Sequence, residues 1–253
     1  MLDEQEYNYK DVAAIIIAMT DGEQPFLPDT LKSVFSDPCI AQVILCIEKQ
    51  NTWLDATLGT LKDDPRLEII RLALAPPGAI RNYALSNVRM PWIAYCDGDD
   101  VWCQGKILQR RYAHTTGSDF VGADHYLTDE PGKIRAFALA RYMPMLSSWM
   151  VRTEVMKQYP FNETMFTAED GQWWFRTEGL IRKARYPKML LKYRVRYSSL
   201  SSVTPSKRRK AKIVALAAKP VLGTLIFLFT GCLWILTRKK QYIWHKSWQH
   251  KKS

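Results

Sequence analysis

Short apolar runs recur along the first half of the chain and are separated by mixed polar and apolar stretches. The runs are Val12–Met19, Val43–Ile47, Leu67–Leu74, Trp92–Tyr95 and a candidate fifth, Phe120–Ala123. Apolar and polar residues do not alternate within them. They therefore predict strands that are buried on both faces, as in a parallel sheet.

The stretches between these runs have helical spacing. Asp29–Phe35 places Leu31, Val34 and Phe35 on one face with Asp29 available as an N-cap, and Thr52–Leu61 and Ala79–Val88 also predict helices. Strands that alternate with helices indicate an open α/β sheet, in which ligands gather outside the carboxyl ends of the strands. Residues 124–168 are less regular, with turn residues at Asp129–Gly132.

The basic charge of the chain is concentrated at its C-terminal end. The formal net charge is +11, but residues 205–253 hold 12 of the 36 Lys and Arg and no acidic residue. The remainder has 24 basic against 25 acidic residues, a net charge of −1. A nearly neutral body has no basic patch to hold a duplex, so a nucleic-acid partner is disfavoured.

The C-terminal segment predicts a membrane-associating helical tail that follows a catalytic domain at residues 1–204. Lys207–Ala218 is a basic helix candidate, Pro220–Leu236 is almost wholly apolar, and Arg238–Lys240 follows it. A helix of that apolar length is roughly 25 Å long, somewhat shorter than a hydrocarbon core of about 30 Å. Basic clusters on both sides favour an in-plane or re-entrant helix on anionic headgroups, and a single span remains the alternative.

Two further features indicate a cytosolic body. The first residues, Met1–Glu6, are acidic and lack the apolar core of a signal peptide. The five cysteines form no CxxC pair, and most lie in or beside apolar segments, which predicts buried free thiols in a reducing compartment. We therefore expect the protein on the cytoplasmic side of a membrane.

The strongest chemical pattern lies where the fourth apolar run ends, at Asp97-Gly98-Asp99-Asp100. Residues two apart on an extended chain point the same way, so Asp97 and Asp99 can converge, and Gly98 allows close approach of the backbone. Two convergent carboxylates suit Mg²⁺ or Mn²⁺, which would neutralise charge on a leaving diphosphate. The structural alternative is an acidic turn after a buried strand.

Two other patterns accompany this one. Gly78-Ala79-Ile80-Arg81-Asn82 opens a helix, and a guanidinium beside a helix N-terminus suits a diphosphate. Glu169-Asp170 precedes Trp173 and Trp174, so that an Asp could act as a general base and Trp rings could stack on an acceptor sugar. The alternatives are a surface Arg and an acidic turn that enters a helix with core tryptophans.

In this order, the three patterns resemble the family 2 glycosyltransferases over roughly residues 12–200. The resemblance implies a GT-A nucleotide-diphospho-sugar transferase fold with a mixed, mainly parallel central sheet, followed here by the basic and hydrophobic tail. It also implies binding residues for the nucleotide sugar, metal ligands and a catalytic base. The donor would contact Thr20, Glu48, Arg81, Asn82, Asp97 and Arg196, the metal would bind Asp97 and Asp99, and Asp170 would be the base.

The sequence departs from the family pattern at two places. The acidic segment after the second strand reads Glu48-Lys49-Gln50-Asn51, where the family has Asp-Asp-Gly-Ser. In the late Tyr-Arg-x-His stretch, Arg196 replaces the histidine that often helps to bind the diphosphate or metal. We expect Arg196 to substitute for it by charge, and Glu169, Trp173 and Trp174 to contact the acceptor.

The resulting hypothesis is an inverting, metal-dependent glycosyltransferase that uses Mn²⁺ or Mg²⁺. Its substrates would be a nucleotide sugar and a glycan or lipid-linked acceptor of cell-surface polysaccharide synthesis. Alternatives are a nucleotidyltransferase of related fold and a non-catalytic membrane-tethered binding protein. The acidic stretch Ala18–Glu23 disfavours the nucleotidyltransferase, which needs a basic Gly-rich loop there. The complete set Asp97, Asp99 and Asp170 disfavours lost activity.

Overall fold

Nine strands form one mixed sheet in the computed structural model, which describes residues 9–140 and 143–196 and the helical positions 221, 224, 225 and 228. The strands are β1 (Val12–Ala18), β2 (Ile40–Glu48), β3 (Leu67–Leu72), β4 (Trp92–Asp97), β5 (Val101–Trp102), β6 (Phe120–Thr128), β7 (Ile134–Ala138), β8 (Met150–Arg152) and β9 (Lys183–Arg194). The α-helices are α1 (Leu27–Phe35), α2 (Leu54–Leu58), α3 (Pro77–Ser86), α4 (Lys106–Thr116), α5 (Thr153–Gln158) and α6 (Glu169–Arg176).

The strand order is β3-β2-β1-β4-β8-β6-β9-β5, and β7 pairs with β6 outside this path. β1, β2, β3 and β4 are mutually parallel where they pair, and β6 is parallel to β9. The short β8 is antiparallel to both β4 and β6 and so joins the two parallel parts. The predicted α/β fold with a mixed sheet is confirmed.

Both faces of the central strands are covered by apolar side chains, as the uninterrupted runs predicted. Along β1, Ala14 and Ile16 pack into one hydrophobic cluster and Ala13 and Ile15 into the other. The edge strand β3 differs, since it is only partly buried and Ile69 is 38% exposed. A strand with one neighbour cannot be covered as fully as β1, so the prediction of burial on both faces was wrong for β3.

Several boundaries and elements differ from the sequence prediction. α1 begins at Leu27 with Pro28 in its first turn, so that Asp29 lies inside the first turn and is not the N-cap. The region 124–168 is more regular than expected, because β6 continues to Thr128 and is followed by β7, β8 and α5. Gly132, in the predicted turn, has φ 89°, and its N–H donates to the carbonyl of Asp129 at 2.9 Å.

The predicted tail lies mostly outside the described residues. Helical positions Val221, Leu225 and Leu228 are described, and all three are exposed. Within the described ranges, no helix is both long and apolar enough to cross a membrane. The basic helix at Lys207–Ala218 and the ends of the apolar segment therefore stay predictions.

A buried lysine lies beneath the acidic strand end. Lys106 is fully buried at the start of α4, with its Nζ 4.5 Å from the centroid of the Trp102 ring and 3.5 Å from the carbonyl oxygen of Ser147. Burial lowers the pKa of Lys106 to about 8. Nearby thiol and carboxyl groups raise this pKa, but their effect is smaller than that of burial. Burial of the charged form therefore costs stability at neutral pH.

We expect Lys106→Met to raise the free energy of unfolding at pH 7 by about 1–3 kcal/mol. The unfolded chain keeps the lysine proton up to a pH of about 10.4, whereas the native state releases it at about 8. The wild type therefore gains stability as pH rises between these values, and the advantage of the variant declines. Urea unfolding at pH 7 and 9.5 measures this. Lys62→Met, at an exposed position, is the control, and a variant no more stable than wild type at pH 7 would contradict the prediction.

Candidate active site

The candidate site lies at the carboxyl ends of β1, β2 and β4, where parallel strands end at one edge of the sheet. Asp97 is the last residue of β4, Glu48 is the last of β2, and Thr20 follows β1. Gly98 lies against β1, since its N–H donates to the carbonyl of Ile17 at 2.8 Å. A Cβ at this position would lie 2.7 Å from the Cβ of Ala18, so only glycine allows this approach.

Arg81 joins the acidic strand end to α6. Its guanidinium is buried, and it donates from Nη2 to Asp97 Oδ1 at 2.8 Å and from Nη1 to Glu169 Oε1 at 2.5 Å. Burial lowers the pKa of Arg81, but Asp97 and Glu169 raise it further, so the group stays charged. Three segments that are distant in sequence meet at this one side chain, and the role of Arg81 toward a diphosphate remains a prediction.

Asn82 holds the chain that leads to α6. Its side-chain oxygen accepts from Phe161 N at 3.0 Å, and its side-chain nitrogen donates to Phe161 O at 2.9 Å and to Glu163 Oε1 at 3.0 Å. In this structure Asn82 thus positions residues 161–163. The predicted contact between Asn82 and the donor stays a prediction.

Asp99 belongs to a second buried ion-pair cluster. Arg196 Nε lies 2.5 Å from Asp99 Oδ2, and Arg196 Nη2 lies 2.7 Å from Glu23 Oε1. Burial raises the pKa of Asp99 to about 6, although Arg196 opposes the shift. The structure therefore brings the predicted residue Arg196 to the acidic strand end.

The two remaining predicted donor residues lie at the ends of neighbouring strands. The hydroxyl of Thr20 donates to Glu23 Oε2 at 2.5 Å, and its backbone N–H donates to the same oxygen at 2.8 Å. Glu48 is half-buried, and its Oε2 accepts from the backbone N–H of Gln50 at 2.7 Å. Both side chains thus lie at the rim where a bound nucleotide is expected.

Asp170 lies beside this cluster in the first turn of α6. Its Oδ1 accepts from Gly171 N at 2.7 Å. Burial and the neighbouring Glu169 raise the pKa of Asp170 to about 6. Ala168, at the N-cap, has φ 63°, a left-handed conformation that is costly for a residue other than glycine. Such strain is common where a chain must present functional groups, here the two carboxylates that follow.

The acceptor assignments do not fit two of the three predicted residues. Trp173 is fully buried in the core, and its indole N–H donates to Tyr159 O at 2.6 Å, so it cannot stack on an acceptor sugar. Glu169 is buried and forms an ion pair with Arg81, so its carboxylate is already engaged and does not face an acceptor. Trp174 is only half-buried and packs under the Lys183 ammonium, 4.1 Å from its ring centroid.

Asp100 was not assigned a role from the sequence. It is fully buried, and its Oδ1 accepts from Arg194 N at 2.9 Å. Burial, followed by the neighbouring Asp99 and Asp97, raises the pKa of Asp100 well above its ordinary range. Among the three aspartates of this segment, Asp100 is thus enclosed in the core and bonded to the backbone of β9, which leaves Asp97 and Asp99 as the candidate metal ligands.

The two charged carboxylates constitute at most a partial metal site. Among the residues that the structure describes, no three or more His, Cys, Asp or Glu side chains form a group that could hold a metal ion. Asp97 uses Oδ1 and Asp99 uses Oδ2 in the ion pairs with arginine, which leaves one oxygen of each outside those pairs. Mg²⁺ is commonly held by one or two carboxylates together with substrate phosphates, and these oxygens suit that mode.

The fold matches solved glycosyltransferase structures, although no protein-family model and no curated protein sequence matches the chain. S. aureus TarS 1-349 in complex with UDP aligns over 82% of this chain and 65% of its own, with 13% identity and a TM-score of 0.63. TarS 1-349 in complex with UDP-GlcNAc aligns over 83% and 67%, with 14% identity and a TM-score of 0.63.

The longer TarS structure aligns over 82% of this chain with 13% identity and a TM-score of 0.65, and the match covers 39% of that protein. The chain thus spans about two fifths of that relative. At this level of identity the likeness establishes the fold, and the expected nucleotide-sugar transferase fold is confirmed.

Proposed function

We propose that this protein is a glycosyltransferase that moves a sugar from a nucleoside diphosphate to a hydroxyl acceptor. The observation that carries the proposal is the bridge through Arg81, which joins Asp97 at the end of β4 to Glu169, the residue before Asp170. A strand-end carboxylate and a candidate base thereby face the same edge of a nucleotide-sugar transferase fold. That edge is where α/β sheets bind ligands.

The donor in this proposal is a uridine diphosphate sugar. TarS, which has the same fold, is described in complex with UDP and with UDP-GlcNAc. Thr20 and Glu48, at the ends of β1 and β2, lie where the nucleoside would contact the strand ends. Arg196 lies beside Asp99 and would interact with the diphosphate by charge.

Asp170 is the proposed general base of an inverting reaction. The carboxylate would accept the proton of the acceptor hydroxyl, whose oxygen attacks the anomeric carbon as the bond to the diphosphate breaks. A pKa of about 6 keeps Asp170 deprotonated at neutral pH while it remains more basic than an exposed aspartate. A glycan or lipid-linked acceptor of cell-surface polysaccharide synthesis is proposed from the family resemblance.

Asp97 and Asp99 would hold the divalent cation. Bound there, Mn²⁺ or Mg²⁺ would supply positive charge to the departing diphosphate. The exposure of Asp97 supports this role, because 38% of its side chain is open to solvent. Arg81 contacts only Oδ1 of this carboxylate, so Oδ2 is left for the cation. The two carboxylates would orient the donor through that cation, and Arg81 offsets part of the charge of Asp97.

A donor screen tests the proposal. We expect the wild type to release nucleoside diphosphate from at least one sugar donor in the presence of Mn²⁺ or Mg²⁺. Asp97→Ala and Asp99→Ala should lose the metal-dependent binding of that nucleotide and remain folded by circular dichroism. Absence of release from every donor would contradict the enzyme and favour a binding protein. Unchanged metal-dependent affinity in both variants would contradict the metal assignment.

We also propose that the C-terminal tail attaches the enzyme to the cytoplasmic face of a membrane. Val221, Leu225 and Leu228 recur at helical spacing and are exposed, which gives one apolar helix face. The surrounding Lys and Arg would contact anionic headgroups. Fractionation of the full chain with a carbonate wash tests this, and a fully soluble protein would refute it.

A further inference from the structure

The guanidinium of Arg196 is enclosed by groups from the two segments that border the proposed diphosphate position. Its Nη1 donates to Gly22 O at 2.8 Å and its Nη2 to Glu23 Oε1 at 2.7 Å, both in the loop after β1. Its Nε donates to Asp99 Oδ2 at 2.5 Å. All three nitrogens are therefore engaged, and only 8% of the side chain is exposed.

This arrangement neutralises a carboxylate that is needed for a cation. A guanidinium in contact with Asp99 lowers the attraction of that carboxylate for a second positive charge. A diphosphate carries more negative charge than one carboxylate, and Arg binds phosphate oxygens through the same planar fork. Diphosphate and Asp99 therefore compete for Arg196, and Arg196 and a cation compete for Asp99.

We propose that Arg196 is a displaceable counter-ion of Asp99. Without donor it holds the carboxylate, and when the donor binds it turns to the diphosphate and leaves Asp99 open to the cation. Donor and metal affinities are thereby coupled through one side chain. This inference rests on the proposed function, because it takes the diphosphate as the ligand at this edge of the sheet.

One feature of the site favours such an exchange, and a second provides a variant that tests it. Arg196 lies beyond the end of β9 at Arg194, so that its backbone is not part of the sheet ladder. The contact with the loop is also tight, since a Cβ on Gly22 would lie 2.7 Å from Arg196 Nη1. The Gly22→Ala variant would therefore displace the guanidinium without removing its charge.

The experiment measures two affinities separately in the full chain: Mn²⁺ alone by paramagnetic resonance, and UDP with EDTA by calorimetry. We expect Arg196→Gln to bind Mn²⁺ about tenfold more tightly than the wild type and UDP about tenfold more weakly. Asp99→Asn should lose Mn²⁺ binding but bind metal-free UDP several-fold more tightly, because Arg196 is released. Gly22→Ala should shift Mn²⁺ affinity in the same direction as Arg196→Gln.

In Arg196→Gln the Mn²⁺ affinity should rise while the UDP affinity falls. This opposite change separates the proposed role from a structural one, since a damaged site would weaken both affinities. Arg89→Gln removes an exposed ion pair with Glu68 and is the matched control, with both affinities unchanged. The inference would be overturned if neither Arg196→Gln nor Gly22→Ala binds Mn²⁺ more tightly than the wild type. It would also be overturned if Asp99→Asn does not bind metal-free UDP more tightly than the wild type. Either of these two results would overturn the inference about Arg196 and leave a positive donor screen, and with it the proposed enzyme, unchanged. A negative donor screen would contradict the proposed enzyme, whereas the Mn²⁺ and UDP affinities would still be measured independently of it.

Discussion

Replacing Asp170 with asparagine is expected to lower the rate of glycosyl transfer by about 10²–10⁴-fold while donor binding persists. The amide has nearly the shape of the carboxylate and still accepts the hydrogen bond from Gly171 N, but it cannot take a proton from the acceptor. The turnover number should therefore fall, and the dissociation constant for the nucleotide should stay close to that of the wild type.

The pH dependence of the wild type provides a second measure of this residue. Burial, followed by the charge of Glu169, raises the pKa of Asp170 to about 6. A base acts only when deprotonated, so kcat/KM should fall as pH decreases through about 6 and level off above it. Asp170→Asn should lose the contribution of Asp170 to this limb, and any limb that remains reports Asp99, whose pKa burial also raises to about 6.

Diphosphate release measured from pH 4.5 to 8, with the donor found in the screen, tests both expectations. Asp55→Asn changes an exposed aspartate in α2 to the same amide and is the control. Near-normal turnover in Asp170→Asn would remove this residue from the mechanism. Loss of donor binding in the same variant would instead assign it a structural or metal-binding role.

The largest loss of stability is expected from Arg81→Met, at about 3–5 kcal/mol in the free energy of unfolding. The variant leaves the buried carboxylate of Glu169 without its partner and removes the contact between Asp97 and α6. An unpaired charge in a buried position costs far more than the apolar packing of methionine returns.

Urea unfolding at pH 7 measures this loss, and a double variant identifies its origin. Glu169→Gln in the Arg81→Met background should recover part of the stability, because it removes the unpaired charge. Arg89→Met breaks an exposed ion pair with Glu68 and should cause only a small change in stability, because solvent screens that pair. A loss of that small size for Arg81→Met would show that the bridge contributes little.

Most of the fold could be predicted from local sequence patterns, because whether a position is buried determines whether it is apolar. β1, β2 and β4 are covered on both faces, so their apolar runs were uninterrupted. α4 was missed because its inward face carries Lys106 and Gln109, which are buried with polar partners. β9 was missed because its long charged side chains alternate with apolar ones beside partly exposed surface.

The site divides in the same way. The sequence places Asp97 and Asp99 at the end of a strand, but β4 ends at Asp97 and the chain turns there, with the N–H of Asp100 donating to the carbonyl of Asp97 at 3.0 Å. The partners of these carboxylates could not be predicted from the sequence, because Arg81 meets Glu169 across 88 residues and Arg196 meets Asp99 across 97. Trp173 was open to either burial or sugar stacking, and only the packing of α6 on the core places it inside. Contacts between distant segments depend on how the elements pack, so ion pairing and burial at this site emerge only from the assembled sheet and helices.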